Sequence, residues 1–496
     1  MDNRFENKGK DQNVAQGDGA IAKQVNVYNT TPPVEPPRQL PPLDACFLGR
    51  DKELAELVGQ LHPGKVVAVC GPGGMGKSAL AAQAVHKQEH FPDGIVFHKF
   101  YDKPGTDQAL QTIAEAFQVQ VKMKESLATA VQAVLAGKKA LLILDGAEDA
   151  ENLKAVLDLR STCGVLITSR KRSDAQGFRL DLKPLEDKPA VDVFCEYSGA
   201  TEDDASVLGV CEILDGWPVG LRIAGRYLCI TDESAADYLR WLEQEPFKEL
   251  GDGEHQEENA ALLLRRSVAQ VSKGARLALS VAGTLAFAPI AREPVAAVLD
   301  GDDRRARTAL NELINYGLLE KQEERWQINH ALIYTYARSE LTLSRESLER
   351  LAGYYIDFWQ KLSKTGLRGY ALLHGEQMHC MHLMKACLNK EIWKEVLGLA
   401  RVIDQSGGDK TVLIMRWTAA RQIGERKDEA WCLNQLGQIY FMGSEHTKAF
   451  VCYRQSLTIY RELGDKEGER VSLNDIRMLQ TVSFVIASGG WLWRRG

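Results

Sequence analysis

The chain has 496 residues, 45% apolar and 26% charged, with a net charge of −6 and a pI near 6.0. That length suits about three domains with their own cores, and the acidic balance excludes an electrostatic footprint for wholesale binding to nucleic acid or an anionic membrane. The ten cysteines include no C-x-x-C pair, which points to a reducing cytoplasmic setting rather than a disulfide framework.

Residues 1–31 are polar and rich in Gln, Asn and Gly, with one alternating, strand-like patch at Ile21, Val25, Val27 and Tyr28. Its polar start is not expected to be a secretory signal, and the alternation alone suggests an adaptor for a separate effector. Six prolines between Thr31 and Leu43 predict an extended spacer and a domain boundary, giving a linker over 32–45.

From residue 46 to 184 short apolar runs alternate with helical stretches. The predicted strands are 65–70, 94–100, 140–144 and 165–168, and the predicted helices are 51–61, 77–88, 107–118 and 125–136. Buried strands separated by helices imply a doubly wound parallel sheet with ligands at the strand C-terminal ends. One such end reads Gly71-Pro-Gly-Gly-Met-Gly-Lys-Ser78, in the order strand, glycine loop, helix. The loop glycines Gly71, Gly73, Gly74 and Gly76 leave backbone N–H groups free to curl around a triphosphate, and the next helix, from Lys77, Ser78 and Ala79, points its positive end at the same anion. Lys77 would reach the β- and γ-phosphates, and Ser78 would ligate Mg²⁺.

A phosphate loop needs a partner carboxylate for the metal. Leu141-Leu-Ile-Leu-Asp145 supplies an apolar strand ending in an acid, so Asp145 is assigned the Mg²⁺ side. Glu148 is assigned as the base that activates water, with Asp149 as its competitor; both acids equally suit a solvated helix start. Val165-Leu-Ile-Thr-Ser-Arg170 is a further strand ending in a hydroxyl pair and an arginine. Arg170 either senses a γ-phosphate or belongs to the surface beside Lys171 and Arg172.

After Leu185 helical periodicity takes over, predicting a small helical domain over 185–252. A winged-helix domain over 256–340 is predicted from three helices and a short hairpin at 317–328. Residues 341–420 read as degenerate helical repeats. Over 421–496, Gly424, Glu429, Leu433 and Asn434 recur 40 residues on as Gly464, Glu469, Leu473 and Asn474, the pattern of tetratricopeptide-like helical hairpins. His374, His379 and His382 are expected to decorate helices, because one helix cannot present His379, Cys380 and His382 together to a metal. The uncharged stretch from Met478 to Trp493 is too short for a membrane span.

Taken together, Phe47-Leu-Gly-Arg50, the glycine loop, LLILDGAED, ITSR, Gly216-Trp-Pro218, and His330 after a winged helix resemble the STAND class of P-loop ATPases, which includes NB-ARC and NACHT proteins. The resemblance covers about 46–340. It implies that Arg50 lies near the adenine, that Pro218 packs on the base, and that His330 contacts the β-phosphate of ADP. Bound ADP would hold a closed monomer, exchange for ATP would open it for homo-oligomerisation, and the repeat array would sense a protein partner or other trigger in bacterial-type regulation or defence. Two departures stand out: Gly146 follows Asp145 where NB-ARC proteins usually carry a second acid, and Ala331 follows His330 where they carry Asp. Turnover is expected to be slow or undetectable. A competing reading makes the chain a nucleotide-controlled DNA-binding regulator with Arg304, Arg305 and Arg307 on a recognition helix; Asp302, Asp303 and Glu312 oppose it. A small-molecule phosphotransferase finds no acceptor pocket in the sequence.

Overall fold

The computed structural model describes residues 11–14, 23–26 and 35–492, apart from 45, 102, 120–124, 203, 246–254, 366 and 405–409. In the amino-terminal extension β1 (Asp11–Val14) and β2 (Lys23–Asn26) form an antiparallel hairpin. Val25 of the alternating patch lies in β2, whereas Ile21, Val27 and Tyr28 lie outside the described residues, as does the expected boundary at 252.

The next segment runs α1 (Asp51–Gln60), β3 (Val66–Cys70), α2 (Lys77–His86), β4 (Ile95–Lys99), α3 (Thr106–Ala116), α4 (Leu127–Leu135), β5 (Leu141–Asp145), α5 (Leu153–Asp158), β6 (Gly164–Ser169) and β7 (Phe178–Asp181). The five strands are parallel in the order β4-β5-β6-β3-β7. β3, β5 and β6 are buried along their whole length, as expected of strands covered on both faces. Alternate residues serve different cores. Val67 and Val69 join a large apolar cluster that continues into the helical segments, while Val66, Ala68 and Cys70 face a second cluster with α3, α4 and α5.

Two features were absent from the sequence reading. β7 is a fifth strand on the outer edge, beside β3. On the opposite edge the Pro-rich segment is not a free spacer: Ile95 N donates to Pro37 O at 2.7 Å and Gln39 N donates to Ile95 O at 2.9 Å. Arg38 thereby makes a parallel bridge to Ile95, and residues 37–39 extend the sheet past β4.

Beyond the sheet come α6 (Asp187–Ser198), α7 (Ala205–Ile213), α8 (Pro218–Ile230) and α9 (Ala235–Gln244), then α10 (Gln256–Gln270), α11 (Lys273–Thr284), α12 (Arg292–Val298) and α13 (Asp303–Asn315). Four helices, rather than three, thus precede the antiparallel hairpin β8 (Leu319–Gln322) and β9 (Arg325–Ile328). Ile290 pairs with Trp326 through both backbone bonds, 2.7 and 2.9 Å. α14 (Ala331–Glu340) leads into α15 (Arg345–Leu362), α16 (Leu367–Asn389), α17 (Trp393–Asp404), α18 (Lys410–Ile423), α19 (Arg426–Met442), α20 (His446–Leu463) and α21 (Lys466–Leu492). Gly424 and Gly464 carry the 40-residue shift into the backbone: both sit at positive φ, 77° and 66°, just ahead of α19 and α21. Close packing follows from small residues, since a Cβ at Gly437 would lie 2.5 Å from the Tyr453 ring.

His379 corrects one expectation. It is buried on α16 and fastens the turn after α11, with Nδ1 accepting from Ala286 N at 3.2 Å. No helix is long and apolar enough to cross a membrane among the described residues.

Candidate functional site

The glycine loop follows β3 directly. Gly76 has φ 88° and opens α2, and Gly74 has φ 78° with Trp217 so close that a Cβ would lie 2.6 Å from its Nε1. These left-handed positions favour glycine and leave a cradle of amides at the positive end of α2. Gly71 plays a different part. It does not line the cleft; a Cβ there would meet Leu182 O at 2.9 Å, so its bareness lets the chain after β7 pass behind the loop.

Lys77 is buried, and Nζ donates to Pro72 O at 2.7 Å. Burial lowers its pKa to about 8, against the opposing pull of Glu148 and Asp145. Because β6 lies between β3 and β5, Thr168 stands beside the acid at the end of β5. Asp145 Oδ1 accepts from Ser78 Oγ at 2.6 Å and from Thr168 Oγ1 at 2.5 Å, and Gly146 N donates to Thr168 Oγ1 at 3.0 Å. The Ser78 hydroxyl and the Asp145 carboxylate are therefore adjacent oxygens, suited to sharing a hard divalent cation.

Arg170 lines the cleft and remains exposed. Its Nε donates to Glu148 Oε1 at 2.6 Å and its backbone N to Glu148 Oε2 at 3.1 Å. It also stands 3.9 Å from Asp149 and 3.8 Å from Glu257 on α10. Glu148 is thus gripped at both oxygens, not presented to water. The Asp149 carboxyl is pushed up by burial and by Glu148.

Three later segments close on the loop. Trp217 Nε1 donates to Gly73 O at 3.0 Å, and Val219 N donates to Gly74 O at 3.3 Å from the start of α8. Gln256 of α10 and Leu332 of α14 approach Gly73, the former within 2.9 Å of a Cβ built there. Pro218 and His330 line the same cleft. His330 caps α14 by accepting from Leu332 N at Nδ1, 3.1 Å. Burial, with Arg222, Lys77, Lys99 and Arg170 around it, lowers its pKa to about 3, so the ring is neutral with its proton on Nε2.

Arg50 also lines the cleft, yet its guanidinium is engaged by the protein: Nη2 donates to Lys183 O at 2.6 Å and to Met75 O at 3.4 Å, and Nη1 to Glu53 at 2.7 Å. Pro41 to Asp44 of the Pro-rich segment form part of the opposite wall. The cavity measures about 270 Å³. Its wall carries Lys77, Lys99, Arg170 and Arg222, and Arg222 Nη2 is buried without a hydrogen-bond partner. A cation-rich cleft with an orphaned buried donor beside an amide cradle fits a polyphosphate ligand.

Sequence reasoning missed Trp217 as a loop contact, and also Thr168, Lys99, Tyr101, Arg222, Gln256 and the wall at 41–44. Lys99 and Tyr101 follow the strand-end rule and could have been found, because Lys99 is paired in register with Asp145. Arg222 lies one helical turn from Pro218. The wall at 41–44 has no local signal.

A phosphate loop at the end of a central parallel strand, opposite an acid at the end of another, defines a P-loop nucleotide-binding protein. Residues 50–204 match the NB-ARC domain family, and over that segment the chain is similar to the NB-ARC P-loop ATPases. It is similar to the regulatory protein AfsR of Streptomyces griseus, 26% identical over 349 residues, 64% of this chain and 36% of that protein. The AfsR of Streptomyces coelicolor is likewise 26% identical over 356 residues, 66% of this chain and 36% of that protein. The chain therefore spans about a third of the length of these relatives. Among solved structures, a STAND protein with a tetratricopeptide repeat sensor from Pyrococcus horikoshii is 14% identical, covering 89% of this chain and 81% of its own, at a TM-score of 0.43.

Proposed function

We propose that the chain is an ATP/ADP-driven signalling switch. In this reading bound ADP holds a nucleotide-binding domain (46–184), a helical domain (185–252) and a winged-helix domain (256–340) closed, and exchange for ATP frees them to self-associate. The helical hairpins over 341–420 and the tetratricopeptide-like repeats over 421–496 would sense a protein partner or other trigger. The observation that carries the proposal is the convergence of α8, α10 and α14 on Gly73 and Gly74, which couples the phosphate cradle to three segments that a ligand could hold or release. With ATP bound, Ser78 and Asp145 would hold Mg²⁺, and Arg170 would exchange Glu148 for the γ-phosphate. Glu148 could activate water only after that release, which suits slow turnover. The relatives' description as regulatory proteins is consistent with a regulatory output.

The test is mass spectrometry of nucleotide released from the purified chain, with sizing of the wild type and Lys77→Ala after loading with ADP or ATP. Retained ADP, lost in Lys77→Ala, and growth in size on ATP loading are expected. Rapid steady-state hydrolysis by a stable monomer would sink the reading.

The DNA-regulator alternative is motivated by the exposure of Arg304 and Arg307 on α13. It is opposed by Glu320, Gln322 and Gln327 of the hairpin, which line the nucleotide cleft, and by the ties of Arg305 to Asp300 and of Arg292 to Asp303. Absence of binding to genomic and mixed-sequence DNA at low salt would remove it.

A further inference from the structure

Among the described residues three arginines line the cleft, and their surroundings differ. The Arg50 guanidinium is satisfied by two carbonyls and Glu53, and that of Arg170 by Glu148 Oε1. Among the described residues Arg222 is paired with Asp44 alone, at 4.0 Å, beyond hydrogen-bond distance, although its side chain is just 14% exposed. Its Nη2 is buried without a partner. A guanidinium held out of water with an unmet N–H is costly, so the wall is incomplete until an acceptor arrives. α8 fixes where that acceptor must be: Arg222 lies four residues after Pro218, on the same helix face, and both line the cavity of the glycine loop.

We infer that Arg222 is a phosphate-binding residue supplied by α8: its buried, unpartnered guanidinium receives the phosphate chain of a nucleoside di- or triphosphate seated on the glycine loop. The inference rests on nucleotide binding in this cleft and adds to it a residue outside the segment matched by the NB-ARC family. It also gives the helical segment a direct hold on the phosphates.

The test is displacement of a fluorescent ADP analogue from the full chain by ADP, AMP and adenosine, in the wild type, Arg222→Ala, Arg222→Gln and Lys77→Ala. Loss of charge-assisted bonds should weaken ADP about 10- to 100-fold in both Arg222 variants while adenosine stays within about twofold. ADP affinity within about twofold of wild type, or an equal loss for adenosine, would overturn the role and leave the nucleotide reading standing. Absence of ADP binding in the wild type would remove both. Melting curves identify a variant that fails to fold, and Arg222→Gln, which keeps the side chain's bulk, then decides.

Discussion

Lys77 carries a full charge in the ligand-free chain only below its lowered pKa of about 8. A phosphate chain binds the protonated form, so ADP affinity, once the terminal phosphate of ADP is fully ionised above about pH 7, should fall above about pH 8, by up to about tenfold per unit, until the pKa of the complex is reached. Calorimetric titrations across pH 6 to 9.5 measure this, and a flat profile would show that Lys77 stays charged without ligand. The same depression acts on folding with the sign reversed from a paired lysine: the unfolded chain binds the proton more tightly, so this group's contribution to stability rises with pH between 8 and its ordinary value of 10.5. His330 offers a second separation of roles. Its ring is both a cleft wall and the cap of α14. His330→Ala should cost about 1 kcal/mol of stability, whereas His330→Asn, which can still accept from Leu332 N, should recover most of it. Thermal denaturation without nucleotide reads the cap alone.

Arg266 of α10 ties two helical segments together. Its guanidinium lies 5.1 Å from the Tyr227 ring, 5.0 Å from Tyr238 and 4.0 Å from Trp241, rings on α8 and α9, and pairs with Glu233. Arg266→Ala should destabilise the chain by about 2 kcal/mol, measured by denaturant unfolding; a loss below about 0.5 kcal/mol would mark the site as an ordinary surface pair. Legibility also divides at this scale. The central strands were readable because both faces are buried and Leu141 to Leu144 or Val165 to Ile167 form unbroken apolar runs. β7 was not, because Phe178-Arg-Leu-Asp is short, half exposed, and defined by pairing with β3 over a separation no local pattern reports. The burial of His379 was lost for a similar reason: its partner, Ala286, lies far along the chain. In the site, Lys77 and Ser78 were legible from the glycine loop, and Asp145 and Arg170 from strand ends. Trp217, Gln256 and Arg222 come from other segments, and only the fold brings them to the loop. Gly71 was misread because a motif position does not say which way its backbone faces.

At the scale of the whole molecule, one sheet face shares an apolar cluster with the helices through α18. The loop is thereby joined to distant helices by packing and, through Trp217, by a hydrogen bond. Trp217→Phe should keep the buried ring and lose the bond to Gly73 O, a change of about 1 kcal/mol. If closure by α8 retains ADP, stopped-flow release of a fluorescent ADP analogue should accelerate about fivefold; an unchanged rate would place the control of release elsewhere.

The proline-rich stretch bears on protein handling as well as on ligand. Prolines cannot donate to a neighbouring strand, so a segment that bonds along β4 through Pro37 and Gln39 also blunts an edge that would otherwise template aggregation. The same stretch, four residues on, walls the cleft. A chain begun at residue 46 would expose both at once, and light scattering on warming, with ADP titration beside it, should find it stickier and weaker in grip than the full chain.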